Sequence, residues 1–134
     1  MIHYHIILPT YHYYKGTNKI LEKIHKTNTK NLSLYIFDNT NNNKIYLLYL
    51  KFKKKLNITY FVNRPTVSAG TNWNQSLFFL KKTIKNQLYK KDQYFIMLHH
   101  DEHFNDKNFF IKLSKLIKNN FYSDVISMTV YVDY

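Results

Sequence analysis

The chain has 134 residues, enough for a single domain with one continuous core. With 45% apolar and 18% aromatic residues it is too hydrophobic for intrinsic disorder, and without cysteine it has neither a disulfide framework nor thiolate metal sites. The formal net charge is +12, which excludes an acidic protein and raises the question of an anionic partner. Arg64 is the single arginine, so the basic charge is almost all lysine. Asn, Ile, Tyr and Phe are also frequent, and all of these share A/T-rich codons. Biased composition and solvated helix faces therefore explain the charge more simply than a nucleic-acid surface. No apolar run approaches the roughly 20 residues of a membrane span. The N-terminus lacks the basic region of a signal peptide.

In chain order, residues 4–8 read as a first strand, stopped by Pro9. A helix follows, with Ile20, Leu21 and Ile24 on one face after Thr17. Residues 32–37 form a second strand, stopped by Asp38-Asn39. The Asn-rich residues 39–43 read as a loop, since Asn satisfies its own backbone in turns. Ile45, Leu48, Phe52 and Leu56 recur at helical spacing, although residues 46–52 also resemble a strand. Residues 58–62 make a third strand, ended by Asn63-Arg64-Pro65. The next helix places Trp73, Leu77, Leu80, Ile84 and Leu88 on one stripe. Residues 94–98 form a fourth strand. Phe109, Phe110, Leu113, Leu116 and Ile117 mark a last helix, and residues 125–132 a fifth strand. Continuous apolar strands alternating with helices predict a three-layer α/β/α sandwich with a mainly parallel sheet.

In such sheets ligands bind beyond the carboxyl ends of the strands. The residues there are Pro9-Thr10-Tyr11, Asp38-Asn39, Asn63-Arg64 and His99-His100-Asp101-Glu102. A carboxylate, an arginine and an acidic cluster suit a phosphorylated ligand held with a divalent cation. The cation needs oxygen ligands, and the guanidinium fork matches phosphate oxygens. Each residue also has a plainer reading. Asp38 forms turns, Arg64 is a solvated loop residue, Thr10 satisfies a turn, and Asp101-Glu102 caps the helix that follows.

Four segments taken together resemble family-two inverting glycosyltransferases. Residues 6–11 (IILPTY) are similar to the family's "IIPTYN", and residues 34–40 (LYIFDNT) to its "IIVDDGS". Ile58 to Asn63, with Gly70, Asn72, Trp73 and Asn74, resembles "I.Y..N....G...NWN..L". Residues 94–102 (YFIMLHHDE) resemble "YI.FLHDDD", the family's metal-binding region. The resemblance covers nearly the whole chain. It implies a GT-A, Rossmann-like nucleotide-diphospho-sugar transferase fold over residues 1–134. The implied activity is transfer of a glycosyl group from a UDP-sugar to an acceptor hydroxyl of a saccharide, lipid or protein.

By the same resemblance, Pro9, Thr10 and Tyr11 line the base and ribose pocket and Asp38 accepts from the base. Arg64 and Asn74 lie near the diphosphate and sugar. Asp101 is the main ligand of Mg²⁺ or Mn²⁺, with His100 beside it. Phe37 replaces the family's first acidic residue, and His99 and His100 replace acids before Asp101. The family's catalytic base lies after the fifth strand, and Asp133 is too close to that strand for the role. The expectation is thus a domain without its acceptor half, either active with a completing segment or a sugar-nucleotide binder without turnover. A metal-dependent hydrolase built on His99, His100, Asp101 and His103 is a weaker reading that leaves three segments unexplained, and a nucleic-acid binder is another, since lysines and aromatics are not interleaved on one clear element. No nucleic-acid partner is expected. The expected location is the cytoplasm, with the basic balance allowing peripheral contact with a membrane.

Overall fold

The computed structural model describes residues 2–84, 92–99 and 106–119. Strand and helix alternate as β1 (His3–Thr10), α1 (Tyr14–Lys26), β2 (Leu32–Asp38), α2 (Lys44–Phe52), β3 (Ile58–Val62), α3 (Ala69–Ile84), β4 (Gln93–Met97) and α4 (Phe109–Asn119). The strands form one parallel sheet in the order β3-β2-β1-β4. This is the expected three-layer arrangement. Tyr4, Ile6, Leu8, Leu34 and Ile36 meet α1, α2 and α4 on one face, and Ile7 and Phe37 meet Leu80 of α3 on the other. Burial on both faces is why the central strands read as unbroken apolar runs. The Tyr4 hydroxyl fixes α4 in place, bonding to Ser114 Oγ at 2.7 Å.

Two element ends differ from the sequence reading, and one ambiguity in it is resolved in favour of its helix. First, β1 does not stop at Pro9 but runs through it to Thr10. Alternate residues of a parallel strand direct their backbone groups to the same neighbour, and Ile7 O accepts from Leu98 N on the β4 side. Pro9 also faces β4, one step beyond the last pair, Ile7 with Met97, so its missing N–H interrupts no bond of the described ladder. Second, α2 is a helix, with Ile45, Leu48 and Phe52 buried at spacings of three and four. Third, α3 begins earlier than its apolar pattern, at Ala69, where Ser68 Oγ accepts the Thr71 N–H at 3.1 Å as a helix cap.

The buried stripe of α3 is also displaced: Asn72, Ser76 and Leu80 face the sheet, while Leu77 is exposed. Asn72 replaces apolar contact by donating to the Phe37 carbonyl at 3.1 Å. Leu88 and the fifth strand at 125–132 lie outside the described residues. No described helix is long and apolar enough to cross a membrane.

Candidate functional site

α2 leaves β2 toward one face of the sheet and α3 leaves β3 toward the other. The loops after these two strands therefore part, which is where open α/β sheets form their crevice. Backbone bonds continue the ladder just past the strands and set this rim. Asn39 N donates to Thr10 O at 3.0 Å, Asn63 N to Asp38 O at 2.8 Å, and Leu98 N to Ile7 O at 2.9 Å.

Asp38 is the hub of the rim and is wholly buried. Its Oδ1 accepts from the Thr40 N–H at 2.9 Å and the Thr40 hydroxyl at 2.6 Å. Its Oδ2 accepts from the Tyr60 hydroxyl at 2.6 Å. A carboxylate offers about four acceptor positions, so three are filled from within the protein. Burial first, and then the Asp38 charge, push the Tyr60 hydroxyl well above its ordinary range, so it remains a proton donor. Tyr60 is in turn held by Tyr49, whose ring lies 5.2 Å away and nearly parallel, and by Tyr46 at 5.4 Å.

A second set of polar bonds ties the β3–α3 loop to β2. The Asn39 amide donates to Val67 O at 2.7 Å and accepts from Val67 N at 2.8 Å. Asn63 donates to Asn72 Oδ1 at 2.9 Å. Asn39 spends its amide on the loop backbone at Val67 and Asn63 spends its own on the Asn72 side chain, so the loop is tied down by its own polar side chains.

Pro9, Thr10, Tyr11, Asp38 and Arg64 are thereby gathered at one end of the sheet. Thr10 is buried, and its Oγ1 has no hydrogen-bond partner among the described residues. Such a group ordinarily marks a place for water or ligand. Tyr11 is half-exposed, its ring edge-on to His12 at 4.2 Å. Arg64 reaches across the crevice to Asn43 Oδ1 at 3.1 Å and precedes Pro65 through a cis peptide. Asn74 is exposed on α3, two residues after the buried Asn72. His99 follows β4, its ring 4.8 Å from that of Trp73. A small pocket opens beside the rim, lined by His12, Tyr14, Thr40, Asn42, Lys44 and Ile45.

His100 and Asp101 lie outside the described residues. Among the described residues no three His, Asp or Glu side chains approach closely enough to hold a metal. Sequence reasoning gave no role to Thr40, Tyr60 or Asn39. The signal for Tyr60 was strand parity: Asp38 pairs with Val62, and Tyr60 two residues earlier shares its face.

No family model matches the chain, and no curated protein matches its sequence. Solved structures do match. The crystal structure of S. aureus TarS 1–349 superposes with a TM-score of 0.69 at 15% identity, over 90% of this chain and 33% of that one. The same segment in complex with UDP-GlcNAc gives 0.70 at 16% identity, over 90% and 32%. Its complex with UDP gives 0.70 at 16%, over 90% and 33%. The chain thus spans about a third of these structures, and the likeness shows that it shares their mainly parallel, Rossmann-like α/β fold.

Proposed function

We propose that the chain is the nucleotide-sugar-binding part of a family-two-like glycosyltransferase, taking a UDP-sugar as donor. One observation carries this reading. Pro9, Thr10, Tyr11, Asp38 and Arg64, strand-end residues that the sequence pattern selects for a nucleoside diphosphate, lie at one end of the sheet, in a fold shared with structures that hold UDP and UDP-GlcNAc.

Residue roles follow from chemistry. Tyr11 offers an exposed ring for base or ribose, and the Thr10 hydroxyl lies buried beside it. Arg64 brings the planar fork suited to phosphate. Asp38 is assigned to the base: an N–H of the base reaches Oδ2 by taking the place of the Tyr60 hydroxyl. Asn74 is assigned to the sugar side and His100 to the ribose or metal. Asp101 is the residue we assign to hold Mg²⁺ or Mn²⁺, an ion that would stabilise the leaving diphosphate as a Lewis acid. In the transfer, an acceptor hydroxyl oxygen bonds to the anomeric carbon. The bond from that carbon to the diphosphate breaks, and UDP leaves with the electron pair. The hydroxyl proton passes to a base that we do not assign to this chain.

The test is calorimetric titration of UDP into the 134-residue protein with and without Mn²⁺, beside Asp101→Ala. Metal-dependent binding that Asp101→Ala weakens by about tenfold or more supports the reading. Absence of binding by UDP and by every other nucleoside diphosphate ends it. Turnover is a separate claim, read as UDP release in the presence of acceptors.

A further inference from the structure

The outer surface of the α1–α2 layer is rich in lysine and poor in carboxylates. Within Tyr14–Lys26 there are four lysines and one carboxylate, Glu22. From 44 to 55 there are five lysines and no carboxylate. On the opposite face α3 carries two lysines in 16 residues. The two helices present their charge as one surface, since Lys51 Nζ reaches Asn18 Oδ1 at 3.0 Å and Glu22 Oε1 at 3.5 Å. The fields of these lysines therefore add within a Debye length of each other.

Apolar side chains stand exposed in the middle of this charge. Leu47 is 58% exposed and Leu50 37%. Leu47 and Lys51, and Leu50 and Lys54, are each four residues apart, so they follow one another along the outer side of α2 and the turn after it. Tyr46 adds a half-exposed ring at the N-terminal end.

We propose that this α1–α2 face docks on an anionic lipid surface, the lysines against headgroups and Leu47 and Leu50 at the acyl boundary. Charge complementarity requires an anion, and the exposed leucines choose among anions. A nucleic-acid backbone offers aliphatic side chains nothing, and its bases need free aromatic platforms. Tyr46 and Tyr49 are instead engaged with one another and with Tyr60. A lipid interface rewards both features at once, as amphipathic surface helices do, and each lysine near an anionic leaflet adds attraction. Docking on this face leaves the strand-end rim at the edge of the contact. It does not depend on what the rim binds.

Vesicle co-sedimentation of the 134-residue protein tests this. Wild type is expected to bind phosphatidylcholine vesicles containing about 30% phosphatidylserine at least ~10-fold more tightly than phosphatidylcholine alone, and to lose that preference in high salt. Lys26→Glu, Lys51→Glu and Lys54→Glu combined should abolish the preference. Leu47→Ser with Leu50→Ser should weaken binding several-fold at unchanged charge. Lys81→Glu with Lys82→Glu, on α3, should leave it intact. Circular dichroism checks each fold, and the same three lysines changed to Gln, a milder set, should give a smaller loss in the same direction. The proposal is overturned by equal binding to both vesicles or to neither. It is also overturned if the α3 pair matters as much as the α1–α2 set. Tighter binding to a single-stranded oligonucleotide than to anionic vesicles at equal salt, with no effect of the leucine changes, overturns it in favour of nucleic acid.

Discussion

The sheet buries two polar clusters, at opposite ends and on opposite faces, and they are built on different chemistry. At the strand ends, Asp38 keeps a full charge out of water by collecting three donors from Thr40 and Tyr60. Nearer the strand starts, His5 is almost as buried but neutral, its ring bonded to Tyr35 and Gln93 and stacked 4.9 Å from Phe95. The first cluster bonds β2 both to the loop after it and to β3, while the second bonds strand to strand alone. A buried carboxylate is tolerated where most of its acceptor positions are met, and it then dictates where the loops go. A neutral cluster asks less of its neighbours and fixes register alone. The charged end is accordingly the one that shapes a site.

The comparison breaks most sharply at Asp38. Asp38→Ala leaves the buried Thr40 N–H and two hydroxyls without their acceptor. A loss of about 3 kcal/mol is expected in denaturant unfolding. A loss below about 1 kcal/mol would show that water replaces the carboxylate and that the rim is not organised by charge. Tyr60→Phe is next, with an expected loss of about 1.5 kcal/mol for one hydrogen bond to a charged group. Calorimetry adds a second reading. Tyr60 holds the acceptor that a base N–H needs, so Tyr60→Phe should bind UDP several-fold more tightly even as it unfolds more easily. Weaker binding would instead make Tyr60 part of the pocket.

Much of this was legible in the sequence. The four described strands, the parallel sheet and the gathering of Pro9, Thr10, Asp38 and Arg64 at one end followed from apolar runs broken by polar residues, because both faces of the sheet are covered. What escaped were bonds between residues distant in the chain. Nothing local in Tyr60 announces a partner 22 residues earlier. The α3 stripe was misread because Asn72 and Ser76 face inward to meet backbone and helix carbonyls, and an apolar pattern cannot register a polar contact. Pro9 was read as a stop because the absence of a β4 partner at that step is a property of the sheet, not of β1.

The neutral cluster yields the smallest effect, and pH is the probe. Gln93 Oε1 can only accept, so His5 Nε2 carries the proton and Nδ1 accepts from the Tyr35 hydroxyl. Protonating Nδ1 would turn that acceptor into a donor and place a charge among Tyr35, Phe95 and His3, none of which offers a carboxylate. Burial lowers the His5 pKa below its ordinary 6.5, and burial together with the nearby His5 lowers that of His3. A histidine whose folded pKa is depressed takes up its proton more readily when unfolded. Stability is therefore complete above pH 6.5 and falls as the pH drops below it, until the folded-state pKa is passed. Urea unfolding between pH 8 and 5 should show this decline, and His5→Gln should flatten it while lowering stability at pH 8. Asp38→Ala should leave the slope across that range unchanged, because it removes no contact of the His5 cluster. A slope that vanished with Asp38 rather than His5 would mean that the two ends of the sheet are coupled, and that the charged rim, not the neutral foot, senses pH.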